Sequence, residues 1–490
     1  MLISLYIYGI FKLYLIFNIY QQAHYQYKLY FKHFLLNLVF YDLFPTIVLI
    51  LGVLENEWIV TLICSIYLSL FSIFYLLARV RLKFTKRIIR LMILSFLYLG
   101  IGFIPYVGVY AVLFIEFSIF PILLLEKGIS YLWNKPYISK AKHKFREYSG
   151  NTIAITGSYG KTSTKVLLNQ ALNLFYSSCA TPKSYNTELG ISRFVNSIPD
   201  INIYDHMVLE FGASHKKDIM KLKKIQRPDV AFVTGIGYMH VETFGSIETI
   251  VEEKMSLLKG ARTAVLNYEC DWIRTYPIDF NIQIISYGLQ YGKYQARNIM
   301  AGTFDLYCDE LFVAHFQTAL VGNHQILNLT GVLAYLLELG ADISILQRGV
   351  STFHTEKNRL EVKKMPTYTI LDDSFNSNYL GFIEALNLLR NHPNKRILLT
   401  PGMVELGKYK KELLSNLIEY IACSTDIVIL TGYYQTNQLY KKLKKYNLEV
   451  YLVRNFMEGY RLFMTLNEVY KESMLLIEND VPDLYRVGLL

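Results

Sequence analysis

The residues best equipped for chemistry stand together in the run Ile155-Thr156-Gly157-Ser158-Tyr159-Gly160-Lys161-Thr162-Ser163. An apolar strand leads into a glycine turn, and a lysine and hydroxyls then open a helix. Glycines let backbone N–H groups face phosphate oxygens, and a helix N-terminus adds a favourable field. Lys161 can reach terminal phosphates and the Thr162 hydroxyl can ligate magnesium, so the pattern predicts a nucleoside-triphosphate loop. Ile155 stands where the general eight-residue pattern has its first glycine. A plain glycine-bearing strand-to-helix turn is the competing reading, which the Lys-Thr pair at the helix start disfavours.

Such a loop needs a parallel α/β scaffold, and from about residue 150 the texture supplies one. Short apolar runs alternate with longer amphipathic ones. Strands are expected over 152–156, 206–210, 229–234, 368–372, 396–400 and 426–431, with a strand-rich excursion over 283–318. A break at 351–362 divides the remainder, giving domains 1–147, 148–355 and 356–490.

The front region has a different character. Of the 50 Lys and Arg, 15 lie in residues 1–147 with only 6 of the 40 Asp and Glu, so +9 of the +10 net charge is there. These charges flank apolar stretches at 2–20, 34–54, 58–78 and 91–125, a pattern of membrane orientation rather than nucleic-acid binding. The last stretch contains Gly100, Gly102, Pro105 and Gly108 and is expected to form a hairpin turning near Pro105 and Tyr106. That gives about five crossings, with Lys12 inside the first. The basic loop 79–90 is expected in the cytosol, and Glu55 and Glu57 outside. The start lacks a positive leader and cleavage site, so no signal peptide is expected. The sequence thus predicts a multi-pass cell-membrane protein with cytoplasmic catalytic domains. Cys64, Cys179, Cys270, Cys308 and Cys423 are scattered and suggest no zinc site. His24, His33 and His206 carry no readable role.

The shortened loop Thr-Gly-x-x-Gly-Lys-Thr-Ser resembles that of the Mur ligases, and further segments follow in that family's order. They are Thr181-Pro182-Lys183-Ser184-Tyr185-Asn186-Thr187-Glu188-Leu189-Gly190, then Val208-Leu209-Glu210-Phe211-Gly212-Ala213, then Arg227-Pro228-Asp229 through His240, Phe244-Gly245-Ser246, Glu248 and Lys254. Gly322-Asn323-His324-Gln325 with Asn328, Arg359, Asp372-Asp373-Ser374-Phe375-Asn376 and Met403-Val404-Glu405-Leu406-Gly407 complete the series. The later elements look most like the branch that adds D-alanyl-D-alanine. Gln325 replaces an asparagine that reads adenine, Thr187 the second of two asparagines, and Tyr379 a proline. The family's soluble uridine-nucleotide domain is replaced by the front region.

The resemblance implies a central ATP-binding P-loop domain and a Rossmann-like C-terminal domain. It implies that Thr162 and Glu210 hold one magnesium ion, and that His240 with a carbamylated Lys254 supports a second. Lys161, Glu210, His240, Lys254 and Arg359 would be catalytic. Gly157, Ser158, Tyr159, Gly160, Lys161, Thr162, Ser163, Gln325, Asn328, Arg359 and Asp373 would bind ATP. Taken singly, each has a plain alternative: Glu210 a surface charge, His240 a satisfied loop histidine, Lys254 a solvated helix residue, Arg359 an ion-pair partner. For Gln325, Asn328 and Asn376, capping or exposure is equally good physics. The implied reaction is ATP-dependent amide formation, through an acyl phosphate, between an envelope-precursor carboxylate and an amino acid or dipeptide. The acceptor is expected to be lipid-linked or membrane-proximal, with no nucleic-acid partner. A poly-γ-glutamate-type synthetase and an ATP-driven regulatory module are the alternatives.

Overall fold

A computed structural model describes residues 82–101, 115–300, 302–354, 360–374, 379–403, 409–432 and 436–478, with 10, 12–14, 16–21, 25, 30 and 66. The chain divides into two compact units, Met1–Lys135 with Val481–Leu490, and Pro136–Asp480.

In the first unit, helix α1 covers Lys86–Ile101, and helix α2 begins at Ile115 and runs to Arg146. Residues 86–90 of the expected basic loop are therefore helix. Arg87 Nε and Arg90 Nη2 meet the fully buried Glu126 at 2.7 and 2.9 Å. The expected multi-pass membrane placement is overturned. Among the described residues no helix is long and apolar enough to cross a membrane. The 16 residues of α1 reach about 24 Å, short of a hydrocarbon core of about 30 Å. The longer α2 carries Glu126, Lys127, Lys135 and a basic last turn. The stretches 34–54 and 58–78, most of 2–20, and the turn at Pro105 and Tyr106 lie outside the described residues.

In the second unit the β-branched run Asn151–Thr156 forms β1, and Lys161–Leu172 forms α3. There follow β2 (Ser178–Ala180), α4 (Glu188–Ser197), β3 (His206–Glu210), α5 (Asp218–Lys223) and β4 (Val230–Val233). Next come α6 (Val241–Phe244), α7 (Ile247–Met255), β5 (Thr263–Asn267), α8 (Asp271–Arg274) and β6 (Gln283–Gly288). The excursion forms β7 (Tyr294–Met300), β8 (Thr303–Cys308) and β9 (Leu311–Gln317), and α9 (Asn323–Glu338) and α10 (Ile343–Val350) close the first half. Among the described residues these strands make one nine-stranded sheet, ordered β2-β3-β1-β4-β5-β6-β7-β8-β9. It is parallel from β2 to β7 and antiparallel over β7-β8-β9.

Both faces of the parallel part are buried, which requires near-continuous apolar strands. Ile153 and Ile155 pack with Leu167 and Leu168 of α3 and Leu329 and Leu333 of α9, while Ala154 faces Met207, Leu209 and Ile250 on the other side. The order reverses at β1, whose neighbours are β3 and β4. In open α/β sheets such a switch point opens a ligand crevice at the carboxyl ends of the strands.

A second sheet is built from β10 (Glu361–Lys364), β11 (Tyr368–Asp373), β12 (Arg396–Thr400), β13 (Ile427–Thr431), β14 (Glu449–Val453) and β15 (Ser473–Glu478). Its order is β10-β11-β15-β12-β13-β14, parallel except for the β10 edge. Helices α11 (Tyr379–Arg390), α12 (Lys410–Ser424), α13 (Thr436–Leu443) and α14 (Phe456–Val469) flank it. The expected strands all coincide with observed ones to within a residue, because fully buried apolar runs leave little else for the chain to do.

Candidate nucleotide and metal site

The register Ile155↔Glu210 and Thr156↔Val233 brings the end of β1 level with the ends of β3 and β4, so the glycine loop lies over the switch point. Gly160 has φ +79°, a left-handed conformation that favours glycine, and caps α3. Gly157 is required by crowding, since a Cβ there would lie 2.2 Å from Thr234 Oγ1. Ser158 is fixed on both sides, its N–H donating to the Gly235 carbonyl at 2.6 Å and its Oγ pairing with the Gly237 backbone at 3.1 Å.

At the helix start, Lys161 Nζ donates to the Gly157 carbonyl at 2.7 Å. Thr162 Oγ1 donates to Glu210 Oε2 at 3.1 Å, and Lys165 Nζ meets the same oxygen at 3.0 Å with both side chains 2% exposed. Asn186 Nδ2 donates to Glu210 Oε1 at 3.2 Å. Burial alone would raise the Glu210 carboxyl, but the Lys165 and Lys161 charges, with bonds from Lys165 and Asn186, hold it below the usual carboxylate range. Glu210 is therefore an anion, not a surface charge. A hydroxyl and a carboxylate side by side are hard oxygen donors suited to Mg²⁺, which keeps waters and phosphate oxygens in its shell. Among the described residues no group of three or more His, Cys, Asp or Glu could hold a metal unaided.

Lys254, on α7, is 2% exposed and its Nζ donates to the Gly157 carbonyl at 3.0 Å. Burial, then the Lys161 charge, pushes its ammonium well below the usual lysine range. The plain reading of Lys254 as a solvated helix residue is excluded. His240 stands at the start of α6 beyond β4, half-buried at φ +58°. Lys161, Thr162, Glu210 and Lys254 thus surround one end of β1.

The other expected residues are placed more variously. Ser163 is buried in the first turn of α3. The Tyr159 ring lies against Gly235 and Gly237, and its hydroxyl bonds Cys270. Burial, then the Cys270 thiol, pushes that hydroxyl well above the usual tyrosine range. Only the backbone of Tyr159 is thereby left to serve phosphate. Asn328 Oδ1 accepts from Thr164 Oγ1 at 3.3 Å and sits 2.7 Å from the Cβ position of Gly160, so it packs on the loop. Gln325 is buried with Oε1 lacking a hydrogen-bond partner. Asp373 closes β11 and accepts the Leu360 N–H at 3.1 Å. Arg359, Asn376 and residues 404–407 lie outside the described residues.

Sequence reasoning missed Lys165, Asn186 as a partner of Glu210, and Thr234. Lys165 had a legible signal, since it follows Lys161 by four residues and so shares its helix face. Replacing Lys165 with Met should cost about 3 kcal/mol of stability, because it leaves Glu210 buried without its nearest cation. Chemical unfolding checks this, and the Lys165→Met/Glu210→Leu double variant should recover most of the loss. Glu210 binds its proton less readily folded than unfolded. Its contribution is therefore complete above the unfolded value of 4.5 and disappears as pH falls through the lower folded value.

A glycine loop at a parallel-sheet switch point, joined by hydroxyl and carboxylate, defines a P-loop nucleotide-binding domain. Residues 155–336 match the Mur ligase middle domain. The UDP-N-acetylmuramoyl-tripeptide--D-alanyl-D-alanine ligase of Borreliella burgdorferi is 27% identical over 290 residues, 57% of this chain and 62% of that protein. The Escherichia coli ligase of the same name is 25% identical over 291 residues, 54% and 60% of the two chains. These matches span less than two thirds of the relatives' lengths. The fold is that of the MurF ligase of Thermotoga maritima in complex with ADP, at TM-score 0.63 and 24% identity over 72% of this chain and 81% of that one.

Proposed function

We propose that this chain is an ATP-dependent ligase that joins an amino acid or dipeptide to a carboxylate of a peptidoglycan precursor. The observation that carries it is the convergence of Lys161, Thr162, the anionic Glu210 and the buried Lys254 on one end of β1. The relatives' names supply the substrates to try first, a UDP-N-acetylmuramoyl tripeptide and D-alanyl-D-alanine.

A free carboxylate does not condense with an amine at a useful rate. Transfer of the ATP γ-phosphoryl group to a carboxylate oxygen releases ADP and gives an acyl phosphate. Attack of the amine on the carbonyl carbon then forms the amide, expels inorganic phosphate and releases a proton. Backbone N–H groups of Gly157, Tyr159, Gly160 and Lys161 and the Lys161 ammonium hold the phosphates through the transfer. Thr162 and Glu210 would hold Mg²⁺, which neutralises phosphate charge and aligns the displacement. Lys165 and Asn186 fix the Glu210 carboxylate for that task. Lys254 brings to the loop a buried amine whose proton is held less tightly than usual, and the neutral form of an amine is the one that carbon dioxide converts to a carbamate. By resemblance that carbamate and His240 would serve the second ion. Arg359 and Asp373 would contact phosphate and ribose from the C-terminal half, and Gln325 the adenine.

The test incubates the purified full chain with ATP, Mg²⁺, UDP-N-acetylmuramoyl tripeptide and D-alanyl-D-alanine. The expected result is a product heavier than the tripeptide by the dipeptide less one water, formed in step with ADP and phosphate. ATP hydrolysis without any amide product, with these or a panel of other amino acids, would overturn the reading in favour of a regulatory ATPase.

A further inference from the structure

The carboxyl ends of the adjacent strands β2, β3, β1 and β4 carry an unusual set of backbone conformations. Lys183 after β2, Lys217 after β3 and His240 after β4 all have positive φ, at 47°, 71° and 58°. A lysine held there bears the steric penalty that glycine avoids. Residues kept in such conformations persist where the surroundings over-determine them, and they concentrate at functional sites.

Here the surroundings are the site itself. The Lys183 carbonyl accepts Lys165 Nζ, the same ammonium that pairs with Glu210. The Lys217 N–H donates at 2.7 Å to Glu253, the neighbour of Lys254. The two loops are tied by Gly212 N–H to the Asn186 carbonyl at 2.9 Å, and the Lys217 loop is tied to that of His240 through Thr243 Oγ1, which donates to the Ser214 carbonyl.

The side chains of Lys183, Lys216 and Lys217 are exposed, and among the described residues none of their ammonium groups enters an ion pair. The nearby acids are engaged elsewhere. Asp218 accepts the Ser214 and His215 N–H groups and pairs with Lys221 Nζ, and Glu253 accepts the Lys217 and Ile219 N–H groups. Three exposed cations, without an ion pair among the described residues, therefore stand on the loops that follow β2 and β3 beside Glu210.

The geometry points to Lys183, Lys216 and Lys217 as a recognition rim for an anionic group, phosphate or carboxylate, that the acceptor carries in addition to its reacting carboxylate. This rests on the ligase reading and names the acceptor's chemistry. The backbone of each loop is locked by the catalytic floor, so an anion on the rim sets the acceptor's distance from the site as well as its affinity.

The test compares the full chain with a Lys183→Gly/Lys216→Gln/Lys217→Gly variant. Glycine relieves the positive φ at two positions, so thermal stability is expected to hold while the charge is lost. In the first arm, protein saturated with ADP is titrated with inorganic pyrophosphate. The variant should bind about tenfold more weakly, with a flatter dependence on salt. Equal binding by the two proteins, or no binding by either, overturns the proposal.

The second arm measures KM with UDP-N-acetylmuramoyl tripeptide and with the same muramoyl tripeptide lacking UDP. A KM raised by substitution only for the UDP form assigns the rim to phosphate, and one raised for both assigns it to peptide carboxylates. An unchanged KM for both overturns it. If wild-type protein makes no amide at all, the ligase reading fails, while the pyrophosphate titration still decides the rim.

Discussion

Lys161→Ala is expected to abolish ATP turnover, with a loss of a thousandfold or more, on the order of 4 kcal/mol of transition-state stabilisation. Lys161 opens α3, and its ammonium bonds the carbonyls of Gly157 and Ser158, on the inner side of the phosphate loop. The lysine that cradles phosphates in such a loop supplies a full positive charge where negative charge shifts during transfer. Little of the fold depends on the side chain. Leu167 and Leu168 anchor the helix in the core, and Gly160 provides its start. Circular dichroism and the unfolding midpoint should therefore stay close to wild type. Single-turnover measurement of ADP release checks the loss, and turnover within tenfold of wild type would remove Lys161 from the chemistry.

The contrast between Lys161 and Lys165 shows where sequence reading succeeds and stops. Both lie on one face of the same helix, but the glycine spacing that announces Lys161 is local, whereas burial of Lys165 depends on β3 arriving alongside with Glu210. A contact between residues 45 positions apart cannot be seen in a local pattern. Glu210 itself was found by its place at the end of an apolar strand within the ordered motifs. The position of Tyr159 in the loop suggests a part in the nucleotide cradle, yet its side chain turns to Cys270, which follows β5. The front region failed for another reason. The ion pairs of its described helices, Glu126 with Arg87 and Arg90, join residues 39 and 36 positions apart, and helix α1 ends sooner than the apolar run in the sequence does.

Replacing Lys254 should separate activity from stability in a way no solvated lysine would. The Nζ is buried, bonded to the Gly157 carbonyl and held well below the usual lysine range, so it gives up its proton more readily in the folded protein than in the unfolded one. Between the folded and unfolded values the unfolded chain binds more protons. This group therefore opposes folding in that window, and stability rises with pH up to the unfolded value of 10.5. Lys254→Met removes the ionisable group and keeps most of the volume, so its unfolding free energy should match or exceed wild type at neutral pH. Amide formation should nonetheless fall a hundredfold or more, on the order of 3 kcal/mol, because the amine next to the phosphate loop, in its neutral form, is the group able to add carbon dioxide and become an anion. Lys254→Ala should lose activity similarly and regain part of it when a short carboxylic acid is supplied, since the vacated space admits a carboxylate where the carbamate would stand. Stripping bicarbonate from the wild-type protein should lower activity, and adding it back should restore it. Full activity in Lys254→Met would show that the buried amine has only a packing role. A Lys254→Ala loss that no small carboxylate relieves, joined to indifference to bicarbonate, would exclude the carbamate and leave the hydrogen bond to Gly157 as its contribution.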